Sequence, residues 1–271
     1  MEKKVILLTG ASSGIGLSTA IQLMNKGFRV YAASRRGSEN RTSDNGGEII
    51  STMMDVNREE DIKKVLDEIL AQNGHLDAVI SNAGNGIAGS IEDTSIEEAK
   101  YQFETNFFGA VRVVQACLPI FRKQGYGKII ATSSVAAIVP IPFQAFYSAS
   151  KAALLIFMQA LAMETKPFGI QCCTILPGDT KTNFTSARKY TTASQSTESV
   201  YSEKMKKAVG KMEKDEQNGM DADDIAKAIV KQIEHKNMKA VVVPGFQYQL
   251  ICWLFNRLPV KFRLKVVSML Y

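Results

Sequence analysis

The chain has 271 residues, of which 45% are hydrophobic and 22% charged. This balance is ordinary for a globular protein and argues against a disordered or fibrous one. The net charge is +6, but no basic motif is interleaved with aromatic residues, so we expect no nucleic-acid partner.

The cysteine and histidine content excludes several kinds of chemistry. The two histidines lie in polar surroundings, and the four cysteines have no ligand-like spacing, so no metal site and no histidine-based nucleophile is expected. The cysteines lie in apolar segments and read as buried, reduced thiols. The apolar stretch Val5–Leu8 is too short for an export signal, and no run approaches the ~18 apolar residues of a membrane span. We therefore expect a cytoplasmic protein.

Short β-rich apolar runs alternate with helical patterns along the chain. The predicted strands are Val5–Thr9, Arg29–Ala33, Glu48–Met54, Ala78–Ser81, Gly127–Ser133, Gly169–Leu176 and Lys239–Val243. Helical patterns follow the first strand as far as Gly27 and cover residues 58–72, 95–123 and 146–166, the last closed by Pro167. This alternation predicts an α/β fold, a doubly wound parallel sheet of about seven strands with helices on both faces. One domain over residues 1–271 is expected, since α/β domains of this length are common.

The stretch Thr185–Ser202 is rich in Ser and Thr and lies between a predicted strand and a helix. A long polar segment in that place indicates a mobile lid, over about residues 179–218, rather than a boundary between domains.

A glycine-rich loop follows the first strand directly, as Thr9-Gly10-Ala11-Ser12-Ser13-Gly14-Ile15-Gly16. Glycines let the backbone turn tightly and approach a pyrophosphate, and the helix that follows offers free N–H groups. A glycine-rich turn without a ligand remains an alternative, since the spacing differs from G-x-G-x-x-G.

The end of the second strand bears on which nicotinamide cofactor is bound. Enzymes that use NAD place an acidic residue there, whereas this chain has Ser34-Arg35-Arg36. Guanidinium groups can hold a 2′-phosphate through charge-assisted hydrogen bonds, so NADP(H) is favoured and NAD(H) is the alternative.

The predicted helix at 146–166 carries Tyr147 and Lys151 four residues apart, on one helix face. An ammonium beside a phenol lowers the phenol pKa, so the tyrosine can exchange a proton with a developing alkoxide. Such a pair also occurs by chance in many helices. Ser134 follows the fifth predicted strand, at the sheet edge where ligands of α/β proteins bind.

Together these motifs resemble the short-chain dehydrogenase/reductase family, whose order they follow from residue 4 to about 184. The resemblance implies an NAD(P)-dependent oxidoreductase that acts on CH–OH groups through a Rossmann-type fold. By it, Ser134 polarises the carbonyl and Tyr147 is the general acid/base. Lys151 lowers the tyrosine pKa and holds the nicotinamide ribose, and Asn106 completes a proton relay. We choose Ser134 over Ser133 for its offset from the tyrosine.

The resemblance also implies the residues that bind the cofactor. They are Gly10, Ser12, Ser13, Gly14, Ile15, Gly16, Ser34, Arg35, Arg36, Asp55, Val56, Asn82, Ala83, Gly84, Tyr147, Lys151, Pro177, Gly178, Thr180 and Thr182. Ser13 stands where some NADP-dependent members carry a basic residue, so the preference for NADP(H) rests on Arg35 and Arg36.

The loop Val135–Phe143 and the lid residues Phe184 and Tyr190 are mostly apolar and offer no cluster for binding a carboxylate. We therefore expect a hydrophobic carbonyl or alcohol substrate, steroid-like, retinoid-like or long-chain. A 3-oxoacyl-carrier reductase and a catalytically silent NADP(H)-sensing protein are the alternatives; for the first, the lid residues Lys204, Lys206, Lys207 and Lys211 could meet an acidic carrier.

The tail at 246–271 is aromatic and basic and resembles that of the 17β-hydroxysteroid and retinol dehydrogenase branch. It is expected to cover the pocket or a subunit interface, with contact to an anionic membrane as the alternative. A homodimer or homotetramer is implied by the resemblance. Apolar residues on two predicted helices favour it too: Phe103, Phe107, Phe108, Leu154 and Phe157.

Overall fold

The computed structural model describes residues 3–271. Its strands are β1 (Val5–Thr9), β2 (Arg29–Ser34), β3 (Arg41–Thr42), β4 (Glu48–Met53), β5 (Ala78–Ser81), β6 (Ile87–Ala88), β7 (Gly127–Thr132), β8 (Ile170–Ile175), β9 (Thr180–Lys181), β10 (Lys189–Tyr190), β11 (Met220–Asp221) and β12 (Val241–Val242). Its α-helices are α1 (Gly14–Met24), α2 (Glu59–Asn73), α3 (Ile96–Phe103), α4 (Ala110–Gln124), α5 (Ala145–Thr165), α6 (Phe184–Ala187), α7 (Ser202–Gln217), α8 (Ala222–Glu234), α9 (Phe246–Arg257) and α10 (Val260–Leu270).

Eight strands form the main sheet, in the order β12-β8-β7-β5-β1-β2-β4-β3. Neighbouring strands pair in parallel, except that the short edge strand β3 runs antiparallel to β4. The seven predicted strands are all present, so the prediction of a parallel α/β sheet is confirmed. The order reverses at β1, which lies between β5 and β2, and ligands of such sheets bind beyond the carboxyl ends at this point.

Helices cover both faces of the sheet, as predicted. One apolar cluster joins the strands to α2, α4 and α5, through residues such as Ile62, Val113 and Leu154. The other joins them to α1 and α8, through Leu23 and Ile229. Because helices cover both faces of the sheet, β1 and β5 consist of buried residues only, which are apolar except for Thr9 and Ser81 at the strand ends. The four cysteines are buried, as expected.

The helix predicted over 95–123 is interrupted. The α3 helix begins with a capping box, in which the Ser95 hydroxyl accepts from the Glu98 backbone and the Glu98 carboxylate accepts from the Ser95 backbone. Residues Glu104–Gly109 then form a π-helical segment before α4. The wider turn carries Asn106, whose amide donates to the backbone oxygen of Asn85, 3.0 Å away. Single π turns of this kind are frequent at functional sites.

Within residues 3–271 one segment, Ala145–Phe168, has the length and apolar character of a membrane-spanning helix. It comprises α5 and a short 3₁₀ turn at Lys166–Phe168 that contains Pro167. Leu154, Met158 and Leu161 of α5 pack into the core, and a buried core helix passes such a test as readily as a membrane span.

Candidate active site

The glycine loop and the start of α1 form the first part of the site. Gly10 and Gly14 adopt positive φ values of 67° and 52°, which favour glycine. A Cβ atom on Gly16 would lie 2.2 Å from the backbone oxygen of Gly10, so this position also requires glycine. Ser13 caps α1 without a side-chain hydrogen bond, and the first turn has no acidic residue. The free N–H groups there fit the diphosphate of a dinucleotide.

Arg35 and Arg36 are exposed directly after β2, beside this loop. The Ala11 backbone N–H of the loop donates to the Ala33 oxygen of β2, at 3.3 Å. Among residues 3–271, neither guanidinium has an acidic side chain within ion-pair distance. Two exposed and unneutralised cations therefore stand at the edge where the ribose of a dinucleotide would lie.

The ends of β4 and β5, with the first turn of the lid, complete the wall around the loop. Asn82 donates from its side chain to the backbone oxygens of Thr9 and Gly10, at 3.3 and 3.2 Å, which fixes Asn82-Ala83-Gly84 beside the glycines. The space next to Gly14 is closed by Thr182, whose Cβ would lie 3.1 Å from a Cβ at Gly14.

Asp55 and Val56 lie further out. Val56 is buried against Gly109 at the end of the π segment, and the Asp55 carboxylate accepts from the Asn57 backbone at 3.0 Å.

Tyr147 and Lys151 lie together on the first turns of α5, with the Lys151 Nζ 5.8 Å from the centre of the tyrosine ring. That the lysine lowers the tyrosine pKa stays a prediction, because burial dominates the pKa of both groups here. Burial raises the pKa of Tyr147 to about 12, although a hydrogen bond with Ser134 opposes the rise. Burial also lowers the pKa of Lys151 to about 8, and its Nζ donates to the backbone oxygen of Thr132 at 2.9 Å.

The two candidate serines differ in what they contact. The Ser133 hydroxyl is buried and donates to the Lys151 backbone oxygen at 2.7 Å. Ser134 instead lies beside Tyr147, and its hydroxyl donates to the Pro177 backbone oxygen at 3.4 Å. This arrangement favours Ser134 as the group that meets a substrate, and it brings Pro177 to the same place.

Asn106 lies on the inner side of this group and is almost fully buried. Its side-chain oxygen accepts from the Asn85 backbone at 2.8 Å, and its amide donates to the Ser150 hydroxyl at 3.2 Å. A Cβ at Gly84 would lie 3.2 Å from the Asn106 oxygen and 3.5 Å from the Lys151 Nζ, so a polar side chain and an ammonium flank this glycine.

Sequence reasoning missed a buried ion-pair cluster in the lid. The Arg188 side chain is fully buried; its guanidinium bonds to Glu216 and lies 3.6 Å from a Glu213 oxygen. With its amide oxygen turned towards Arg188, Gln144 accepts from the arginine Nε at 2.8 Å. The arginine thus has acidic partners already. The sequence does not reveal these ion pairs, because nothing near Arg188 in the sequence distinguishes it from the other basic residues of the lid.

Phe184 and Tyr190, the two aromatic residues predicted to line the pocket, differ in position. The Phe184 ring lies 5.6 Å from that of Tyr147 and against Gly86. The Tyr190 hydroxyl turns away and donates to Glu213 at 2.9 Å, so it belongs to the lid cluster.

The tail reaches the site through Tyr248, which sequence reasoning did not single out as a site residue. Its ring packs so closely on Gly178 that a Cβ there would lie 2.2 Å from a ring carbon. Its hydroxyl is 3.2 Å from the Asp179 carboxylate, whose pKa burial raises. The turn from Pro177 to Thr180 is therefore held from outside by the tail.

Comparison with known proteins agrees with this geometry. The sequence profile of the short chain dehydrogenase family matches residues 4–193. The chain is 39% identical to a 3-ketodihydrosphingosine reductase of Bacteroides thetaiotaomicron over 237 residues, which is 88% of this chain and 86% of the relative. It is 38% identical to a probable short-chain type dehydrogenase/reductase of Helicobacter pylori, over 93% of this chain and 92% of the relative.

Solved structures show the same fold. A short-chain dehydrogenase from Streptomyces avermitilis superposes with a TM-score of 0.80 at 27% identity, covering 98% of this chain and 95% of that chain. The match to the family spans well over half of the sequence, and the two relatives cover nearly all of it. The chain therefore belongs to the short-chain dehydrogenase family, as an oxidoreductase with a nicotinamide cofactor.

Proposed function

We propose that the chain is an NADP(H)-dependent reductase that converts a long-chain ketone to a secondary alcohol. The observation that carries the proposal is the convergence of Ser134, Tyr147 and Lys151 next to a glycine loop whose outer edge bears Arg35 and Arg36. The reverse oxidation uses the same groups, as microscopic reversibility requires.

The nicotinamide, when bound, supplies the hydride to the carbonyl carbon. The residues of the chain position the substrate and provide the proton. Ser134 donates a hydrogen bond to the carbonyl oxygen, and the Tyr147 hydroxyl transfers its proton to that oxygen as negative charge develops. Because the pKa of Tyr147 is raised to about 12, the phenol is protonated at neutral pH and ready to act as the acid. Lys151 and Asn106 flank Gly84: Lys151 would hold the cofactor ribose, and Asn106 would complete the relay that returns a proton to Tyr147.

The preference for NADP(H) follows from the two arginines. Both guanidinium groups are exposed and have no acidic partner among the described residues, so they are free to hold a 2′-phosphate. Three other residues proposed to contact the cofactor lie against the same loop: Asn82, Ala83 and Thr182.

A hydrophobic substrate is supported by the surroundings of Tyr147. Phe184 packs against the Tyr147 ring, and the loop after Ser134 consists mostly of alanine, isoleucine, valine and proline. Arg188 is held by Glu213 and Glu216 and is not available to a substrate carboxylate. The name of the Bacteroides relative makes 3-ketodihydrosphingosine, a long-chain amino ketone, the first substrate to test.

Within the buried ion-pair cluster around Arg188, negative charge exceeds positive charge, which supports an amine near the ketone. One arginine there faces two glutamates, and both Glu216 and Asp179 act on Tyr147 by raising its pKa. A carboxylate surplus next to the reacting oxygen stabilises a cationic group on the substrate.

The test is a substrate panel with NADPH consumption as the readout. We expect 3-ketodihydrosphingosine to be reduced with a higher kcat/KM than its N-acetylated, uncharged analogue, by about ten-fold for one ion pair. Glu213→Gln should reduce this difference, while Glu198→Gln, in an exposed stretch of the lid, should not. Turnover of carrier-bound 3-oxoacyl chains instead would favour the carrier-protein reductase, which the exposed Lys204, Lys206 and Lys207 could serve. Turnover of small charged sugars only would contradict the proposal.

We also propose that the chain acts as one domain, with a lid at about 179–218, and forms a homodimer or homotetramer. The surface of α4 and α5 supports this assembly only in part. Phe108, Ile156 and Met163 are exposed, but Leu154 lies in the core and Phe107 packs edge-on against Phe157. Sedimentation velocity of the wild-type protein tests the assembly.

A further inference from the structure

The two tail helices carry an unusual concentration of exposed apolar side chains. Of the 21 large hydrophobic residues that are exposed among residues 3–271, 11 lie in α9 and α10. They are Phe246, Leu250, Ile251, Trp253, Leu254, Val260, Phe262, Leu264, Val266, Met269 and Leu270. In α10 only Val267 is buried, so this helix turns most of its apolar surface outwards. A surface of this kind marks a contact with another phase or molecule.

Positive charges are interspersed with these apolar groups. Arg257, Lys261 and Lys265 are exposed, and the segment 246–271 contains no Asp or Glu. The Arg257 guanidinium lies 4.1 Å from the centre of the Trp253 ring, which is half exposed. An aromatic ring beside a cation suits the boundary between acyl chains and head groups, where both are accommodated.

We propose that the exposed face of α9 and α10 binds an anionic lipid bilayer. Charge decides between the two occupants that an apolar face suggests. In a symmetric contact with a second copy, cations of one tail would face cations of the other, and no Asp or Glu of the segment could neutralise them. An anionic bilayer offers both an apolar layer and negative head groups, and each cation near such a surface adds to the attraction.

The remainder of the tail holds this face in a fixed position on the enzyme. Tyr248 and Cys252 are buried on the inner side of α9, and Tyr248 bonds to Asp179 beside the cofactor turn. Leu264 and Val267 of α10 line an apolar cavity of about 560 Å³, whose other wall is the loop 136–142 and the outer face of α5. Since this loop begins next to Ser134, the membrane-binding face lies beside the entrance region of the site, where an apolar substrate would arrive from the bilayer.

Trp253 makes the proposal directly measurable, because it is the only tryptophan in the chain. The full-length protein is mixed with vesicles of phosphatidylcholine alone or of phosphatidylcholine with phosphatidylglycerol, at low and high salt. We expect co-sedimentation and a blue shift of the tryptophan emission with the anionic vesicles at low salt, weakened by high salt. Lipids brominated on the acyl chain should quench the emission, which places the indole below the head groups.

Two double variants separate the tail charges from the charge of the whole protein. Lys261→Glu/Lys265→Glu should weaken vesicle binding about ten-fold or more. Lys236→Glu/Lys239→Glu changes the net charge equally, but these exposed lysines precede β12 whereas the tail follows it, and this control should bind as the wild type does. Circular dichroism and thermal unfolding establish that both variants are folded.

Three results would overturn the proposal. One is a wild-type protein that does not bind anionic vesicles at low salt. Another is an equal loss of binding in both double variants, which would indicate attraction by overall charge. The third is an absence of vesicle binding together with a change of sedimentation coefficient in Trp253→Ser, which would make the face a subunit interface. The proposal stands independently of the substrate, because no turnover is measured.

Discussion

Replacing Arg35 and Arg36 with alanine should weaken the binding of NADPH far more than that of NADH. A hydrogen bond to a charged group contributes about 1.5 to 3 kcal/mol. Because both guanidinium groups are exposed, we take the lower end for each. Together they amount to about 3 kcal/mol, or roughly a 100-fold rise in Kd for NADPH. NADH lacks the 2′-phosphate, so its Kd should change less than about three-fold.

Fluorescence titration of the purified variants with each cofactor measures these constants. The emission of the bound nicotinamide is the signal, and titration at low and high salt separates a specific contact from general attraction. The control is Arg122→Ala/Lys123→Ala, which removes two exposed cations from the end of α4 and should leave both constants unchanged. Equal affinity of the wild type for NADPH and NADH, or a loss of NADPH affinity in the control, would refute the reasoning.

Three further predictions concern single positions. Gly16→Ala should abolish cofactor binding, because its Cβ would meet the Gly10 oxygen at 2.2 Å, whereas Gly210→Ala, with no atom within 4 Å, should bind normally in the same titration. Tyr248→Phe should lower the free energy of unfolding by about 1 kcal/mol in urea titrations and raise the KM for NADPH more than it lowers kcat, since Asp179 loses its partner. Because the pKa of Lys151 is about 8, kcat/KM for reduction should fall as the pH rises through 8. Lys151→Arg should move this fall to higher pH. An unchanged pH profile in the variant would show that the fall does not report the titration of Lys151.

The parts of the fold that could be predicted from the sequence are those governed by local patterns. Strands such as β1 and β5 are buried on both faces, so they appear as nearly continuous apolar runs. The glycine loop was visible because positive φ values and close backbone contacts exclude other residues. The boundaries of α2 and α5 were correct to within one residue, since Pro167 and Gly74 stop these helices.

The remainder depended on tertiary contacts. The π segment around Asn106 exists because its side chain bonds to Asn85, 21 residues earlier, which periodicity does not reveal. The raised pKa of Tyr147 and the lowered pKa of Lys151 both follow chiefly from burial, which only the packed structure reveals. The pairing of Arg188 with two glutamates of α7 is likewise visible only in space.

The tail could be read as amphipathic but not as two helices. Most apolar residues of α9 and α10 are exposed in the described part of the chain, so their pattern lacks the single buried face from which a helix is usually predicted.

A single-turnover experiment tests whether Tyr147 supplies the proton when the enzyme reduces a long-chain ketone. NADPH is bound to the enzyme, 3-ketodihydrosphingosine is added, and the loss of nicotinamide absorbance is followed for the wild type and for Tyr147→Phe. We expect the wild type to oxidise one NADPH per site, and the variant to bind NADPH within a few-fold of the wild type but to react about a thousand-fold more slowly, because the proton donor is lost. A variant that reacts within a few-fold of the wild type, or a wild type that transfers no hydride to any long-chain ketone, would contradict it.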